Sequence, residues 1–202
     1  MQGLRRVGSE GAPWTVPLDE FDSSSVCYLA GVGEDITFDI ALVEQARCKA
    51  HSFDPTPRAA THIESLNLPD GYTFHKFGIW SSDTTLKFFA PENPSNVSHS
   101  ILNLQRTEEY FEAGVRRLKS IMDELGHTEL DLLKIDIEGA EYEVLESIIE
   151  DDLKIKYLCV DFDQPYPIIK TLIMLRRLRR HGYLPVAVDG WDISFAFKSP
   201  VK

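Results

Sequence analysis

At 202 residues the chain has the length of one large domain on a scale of ~150 residues per domain, and its 43% hydrophobic and 26% charged content excludes a low-complexity chain. Lys and Arg number 21 against 32 Asp and Glu, and the resulting charge of −11 repels phosphate backbones and anionic lipid. Nucleic acid and membrane surfaces are therefore not expected partners.

Residues 1–25 carry Arg5 and Arg6 but no apolar signal region, and no run approaches the ~18 apolar residues of a membrane span. The expectation is an N-terminal extension followed by one domain over 26–202, in a soluble, cytoplasmic protein. Cys27, Cys48 and Cys159 are odd in number and form no C-x-x-C pair, which predicts buried, reduced thiols and neither a disulfide framework nor a zinc site.

The run Val26–Ala30 reads as a buried strand closed by Gly31-Val32-Gly33, and Ile36, Ile40 and Val43 then recur at helical spacing behind Glu34 and Asp35. A second strand ends at Phe53-Asp54, after which Thr56 and Pro57 predict a helix cap and first turn. Further strands are expected at Tyr72–Trp80, Leu86–Ala90, Asp131–Asp136 and Tyr157–Asp161. Between them, Leu118, Ile121, Met122 and Leu125 share one helical face before Gly126, as do Leu145, Ile148 and Ile149 after Gly139. Pro91 to Ser100 reads as a long loop, a common place for a lid in such folds.

Ile169, Leu172, Ile173, Leu175 and Leu178 predict an apolar helix face beneath the basic run Arg176–His181, which reads as a solvated helix end rather than a nucleic-acid patch. Tyr183–Val188 and Asp192–Phe197 flank Asp189-Gly190, a hairpin signal. Alternating strands and helices that finish in a hairpin predict an α/β, doubly wound, mainly parallel sheet with a terminal antiparallel element.

In such sheets ligands sit beyond the carboxyl ends of the strands, which directs attention to Gly31–Asp35, Asp54, Gly78–Asp83, Asp136–Gly139 and Asp161–Gln164. Gly31 and Gly33 allow close backbone approach, and Asp54 has the spacing of an acid that accepts ribose hydroxyls, so an adenosine-containing cofactor is expected. Ile36 occupies the place of the third glycine of a dinucleotide fingerprint, which disfavours a nicotinamide cofactor. The closing hairpin fits S-adenosylmethionine enzymes better.

The run Asp131–Leu145, with its core LKIDIEGAE, resembles the signature of FkbM-type S-adenosylmethionine-dependent methyltransferases. Gly31–Asp39 with Ser52–Thr56 resembles a bacterial branch of the same family, so the similarity covers about residues 26 to 163. It implies a Rossmann-like class I methyltransferase fold with a seven-stranded sheet, and S-adenosylmethionine as cofactor. By this resemblance Gly31 and Gly33 pass under the cofactor, Asp54 holds the ribose, and Gly78, Ile79 and Trp80 border the adenine. Leu29 and Ala30 stand where such enzymes often carry an acid, leaving the methionine part to Glu34, Asp35 or backbone groups.

Asp136 and Glu138 flank a tight Gly139 turn after an apolar strand, where carboxylates are costly unless paired or used. One reading has Glu138 capping the next helix and Asp136 pairing with Lys134 or another cation. The other has Asp136 near the methionine amino group or the acceptor and Glu138 positioning the acceptor hydroxyl. Asp136-Ile137-Glu138-Gly139 stands where amino methyltransferases often carry an Asn-Pro-Pro-Tyr type motif, so oxygen is the expected acceptor atom.

Asp136, Asp161 and Asp163 form a candidate magnesium set, but acids at strand ends are common and no metal ligand is assigned. The function expected is O-methylation of a small-molecule or glycan hydroxyl. A noncatalytic cofactor-binding or partner-binding module and, further off, a nucleotide-dependent dehydrogenase are the alternatives.

Overall fold

A computed structural model of the chain describes residues 3–90, 101, 107–162 and 168–198. The loop expected at Pro91–Ser100, together with Asp163 and Gln164, lies outside these residues. Strands β1 (Arg5–Val7) and β2 (Trp14–Val16) form an antiparallel hairpin, followed by a 3₁₀ turn at Leu18–Glu20. The Rossmann-like core then runs β3 (Val26–Ala30), α1 (Thr37–Ala46), β4 (Lys49–Phe53), α2 (Pro57–Glu64) and β5 (Tyr72–His75). Next come β6 (Gly78–Trp80), β7 (Thr84–Phe89), β8 (Tyr110–Arg117) and α3 (Leu118–Leu125). The chain closes with β9 (Leu130–Ile135), α4 (Glu141–Glu150), β10 (Ile155–Asp161), α5 (Ile168–Arg180), β11 (Tyr183–Asp189) and β12 (Asp192–Phe197).

Seven strands form the central sheet in the order β11-β12-β10-β9-β3-β4-β5, with β12 antiparallel to both neighbours and the other pairs parallel. The order reverses between β3 and β9, so the loops after these two strands part and leave a crevice at their carboxyl ends. One face of the sheet packs Leu29, Leu132 and Cys159 against Leu42 and Val43 of α1, and the N-terminal segment adds Trp14, Val16, Leu18 and Phe21 to this layer. The other face packs Leu133, Ile135 and Leu158 against Leu118 and Ile121 of α3 and Leu145 and Ile148 of α4. All three cysteines are buried and free.

Thr56 caps α2 as its sequence predicts, accepting a bond from the Ala59 amide at 3.2 Å with Pro57 in the first turn. The hairpin expected at Asp189-Gly190 joins β11 to β12, with Gly190 at φ +63°. α1 begins at Thr37, two residues past Asp35, whose carboxylate accepts the Thr37 amide at 2.9 Å.

Three expectations require correction. Tyr72–Trp80 is not one strand: the Phe77 amide turns back onto the His75 carbonyl at 2.9 Å, so the chain leaves the central sheet after His75. The run expected at Leu86–Ala90 joins a separate sheet of order β6-β8-β7, whose strand β8 the sequence reading did not identify. The third concerns α5, which buries Thr171, Met174 and Leu178 and leaves Ile168, Ile169, Leu172 and Ile173 exposed. The Thr171 and Tyr142 hydroxyls share a buried 2.7 Å hydrogen bond, so the face carrying Thr171, not the broadest apolar stripe, turns inward against α4.

Candidate cofactor cleft

A cavity of about 370 Å³ opens where the sheet order reverses, within the range of small-ligand sites. Gly31, Gly33, Glu34, Asp35, Asp54, Gly78, Ile79, Trp80, Asp136 and Glu138 all line it. The strand ends at Gly31–Asp35, Asp54, Gly78–Trp80 and Asp136–Glu138 thus meet in one place, whereas Ser81, Ser82, Asp83 and Asp161, also selected from strand ends, do not line the cavity. Trp80 is half-buried, packing on the α3–α4 core while bordering the cavity.

Gly31 is required by the fold. It lies at φ +82°, and a Cβ there would sit 1.6 Å from the Asp136 carbonyl oxygen, because the loops after β3 and β9 cross in contact. Gly33, at φ +56°, would place a Cβ with nothing within 4 Å. Close packing between loops therefore explains the first glycine, and backbone conformation the second.

Asp54 is buried on the cleft floor and organises this loop. Its Oδ2 accepts the Val32 and Gly33 amides, each at 3.0 Å, and its Oδ1 accepts the Thr56 amide at 2.8 Å and the Thr56 hydroxyl at 2.6 Å. Beside it, Asp35 Oδ1 accepts the Thr37 amide and hydroxyl, and Oδ2 accepts the Ser9 hydroxyl at 2.6 Å. Burial opposes the Asp35 charge, but the bonds from Ser9 and Thr37 and the positive Lys134 outweigh it, and its pKa falls below the usual carboxylate value. Glu34 stands at the rim in an ion pair with Arg58 at 2.7 Å.

Lys134 projects from the middle of the sheet and was noted in the sequence only as a partner for Asp136. It is 7% exposed, donates to the Gly31 carbonyl at 2.8 Å and pairs with Asp136 at 3.2 Å. Burial alone would push its pKa down, but Asp136 and Asp39 more than offset this, and the pKa rises. Asp39, bonded to the Ser52 hydroxyl at 2.8 Å, has its pKa pushed up by burial to about 6.

The turn after β9 is fixed by Glu141, which the sequence reading did not single out. This residue is 1% exposed, and its carboxylate accepts the Ile137 amide at 3.0 Å and the Gly139 amide at 3.0–3.1 Å. Ala140, not Glu138, occupies the N-cap position of α4, without a side-chain cap bond. Glu138 instead adopts φ +56° at the cavity wall, a left-handed conformation that costs a side-chain-bearing residue about 1–2 kcal/mol. Such strain at a cleft needs support, and the Glu141 bonds on either side provide it.

Leu86, Phe88 and Val115 of the small sheet form an apolar wall facing Pro55 and Ile79. At Gly78 a Cβ would meet Val115 at 3.2 Å, Pro55 at 3.4 Å and Phe88 at 3.6 Å, so the wall closes tightly there. The cavity thus has an apolar end suited to a flat heterocycle and an end with Asp35 and Asp136 suited to an ammonium group, with Glu138 on the adjoining wall. Among the described residues no group of three or more His, Cys, Asp or Glu could hold a metal ion.

A glycine loop, an acid closing the second parallel strand and a seven-stranded sheet with one reversed strand together define the class I methyltransferase fold. The Methyltransferase FkbM domain model matches residues 27–185, and the chain belongs to this family. It is 30% identical over 150 residues to human probable methyltransferase-like protein 24, covering 70% of this chain, and 30% identical over 149 residues to the rat protein. The chain spans 35% of the length of each of these relatives.

Among solved structures, the METTL16 MTase domain is similar with a TM-score of 0.52 and 14% identity over 90% of this chain and 64% of that one. The Methanococcus jannaschii fibrillarin pre-rRNA processing protein gives 0.52 and 10% identity over 97% and 71%. At these identities the likeness is one of fold. Family membership implies S-adenosylmethionine as the cofactor; the apolar end of the cavity fits its adenine, and the acidic end fits the ammonium group of its zwitterionic amino-acid tail.

Two outcomes follow for stability. Gly31→Ala is expected to prevent folding, whereas Gly33→Ala should fold at a cost of about 1–2 kcal/mol from its left-handed backbone, as read by urea denaturation. The second concerns pH. Burial raises the Glu141 pKa from 4.5 to about 7, so the stability contributed by its neutral form is complete below pH 4.5 and is lost as pH rises through 7. The stability of the parent chain relative to Glu141→Gln should therefore be greatest at pH 4.5 and smallest at pH 8. A constant difference would show that folding does not shift the Glu141 pKa.

Proposed function

We propose that the chain transfers a methyl group from S-adenosylmethionine to a hydroxyl oxygen of a small molecule or glycan. The observation that carries this reading is Glu138, held in a left-handed backbone at the cavity wall beside the Lys134–Asp136 pair. When bound, the cofactor would supply an electrophilic methyl group on a sulfonium, whose sulfur keeps the bonding pair and leaves as the thioether of S-adenosylhomocysteine. Pro55, Ile79, Trp80, Phe88 and Val115 would enclose its adenine and exclude water. Asp54 would accept a ribose hydroxyl if the Thr56 hydroxyl turned its proton away; the other three bonds to Asp54 come from backbone amides.

Asp35 and Asp136 would accept the ammonium group of the amino-acid end. Lys134 fixes the Asp136 carboxylate, and Glu138 accepts the hydroxyl proton of the acceptor while holding its oxygen in line. Orientation of this kind contributes up to ~7–11 kcal/mol, against ~10²–10⁴-fold in rate for a general base, so positioning is the larger effect.

The charge of −11 supports a non-nucleic-acid acceptor, and the three buried free cysteines support a reducing, cytoplasmic setting. No helix among the described residues is long and apolar enough to cross a membrane.

The test is Glu138→Gln, assayed with methyl-labelled cofactor against a panel of hydroxyl acceptors. Transfer should fall by about 10²-fold or more while S-adenosylhomocysteine affinity stays within about twofold. A lower melting temperature with unchanged transfer per folded molecule would assign Glu138 to the fold alone.

A further inference from the structure

The hairpin β1–β2 precedes the family-matched residues 27–185, yet its turn reaches the cleft, where Gly11 and Ala12 line the cavity. The turn is held at both ends and in the middle. Val7 and Trp14 are buried in the core, and Gly8 lies at φ +103°, where a Cβ would meet the Ala12 carbonyl oxygen at 2.8 Å and Phe38 at 3.2 Å.

Ser9 joins the turn to α1. Its amide donates to the Thr37 hydroxyl at 2.7 Å, its hydroxyl donates to Asp35 at 2.6 Å, and the same oxygen accepts the Gly11 and Ala12 amides at 3.1 and 3.2 Å. One donor and two acceptor positions are thus all engaged, the full capacity of a hydroxyl. The segment approaches from the β10–β12 side, where Tyr157 donates to Glu20 at 2.7 Å and Arg6 pairs with Asp189 at 3.1 Å. It therefore meets the cavity near Asp35 and Asp136, while the apolar wall lies toward β5.

We infer that the hairpin turn Ser9–Ala12 closes the end of the cleft that receives the amino-acid tail of the cofactor, with Ser9 holding Asp35 in place to accept the tail's ammonium group. This role rests on the reading of the cleft as an S-adenosylmethionine site. Ser9 and Gly11 are positioning residues and touch no reacting atom. Asp35 Oδ2 keeps an acceptor position beyond its bond to Ser9, so the lock leaves room for a second donor.

Two ligands separate the tail from the nucleoside: S-adenosylhomocysteine carries both, and 5′-methylthioadenosine lacks the amino-acid portion. Calorimetric titration of the full chain with each is compared for the parent, Ser9→Ala and Gly11→Lys. The nearest group to a Cβ at Gly11 is the Ser9 hydroxyl at 3.7 Å, an ordinary contact, so Gly11→Lys sets a cation in opposition to the tail's ammonium group and stands in if Ser9→Ala fails to fold. Both variants should bind S-adenosylhomocysteine at least tenfold more weakly and 5′-methylthioadenosine within twofold of the parent.

Unchanged affinity for both ligands, or equal losses for both, would overturn the role of the hairpin while leaving the cofactor reading intact. Failure of the parent chain itself to bind S-adenosylhomocysteine would overturn both.

Discussion

A lysine ammonium buried in the middle of a parallel sheet is the constraint around which this cleft is built. Taking such a charge out of water costs several kcal/mol even after relaxation, so Lys134 is tolerated only because partners surround it. The Gly31 carbonyl comes from the loop after β3, Asp136 from the end of β9, and Asp39 from α1. The first two bond Lys134 directly and tie the loops after β3 and β9 together, while Asp39 favours its charge from α1 without a direct bond. The hold of Lys134 on Gly31 also brings the loops after β3 and β9 so close that no Cβ fits between them. The crevice thus has a fixed inner edge.

The acids of the site share a second logic. Asp54, Asp35 and Glu141 each accept backbone amides from the loop beside them. Each such bond satisfies an amide that would otherwise be orphaned at the mouth of a cleft, where leaving it unpaired costs about 1–3 kcal/mol. Loops that bind ligands need a defined shape before the ligand arrives, and carboxylates that order backbone provide it. Glu138 differs in taking a strained backbone at the cavity wall, and it owes that position to Glu141.

The parts legible in the sequence are those where local chemistry decides the outcome. Gly31-Val32-Gly33 after a buried run, Thr56-Pro57 at a helix start and Asp189-Gly190 between two β-rich runs each have one favoured local solution, and the structure adopts it. The small sheet was not legible because β8 interrupts its apolar positions with Glu112, Gly114 and Arg116, and β6 is only three residues long. Periodicity also misjudged α5: it found the widest apolar stripe but could not register the Thr171–Tyr142 hydrogen bond that turns another face inward. Lys134 left a signal, a lysine inside Leu132-Leu133-Lys134-Ile135, whose partners became apparent only once the topology was known.

A crystal structure of the chain with S-adenosylhomocysteine shows whether the crevice between the loops after β3 and β9 holds the cofactor. The ligand is expected across Gly31–Gly33, with its adenine against Ile79 and Phe88 and its amino-acid end between Asp35 and Asp136. A tightly bound ligand lying elsewhere on the molecule, with this crevice open to solvent, would rule this site out.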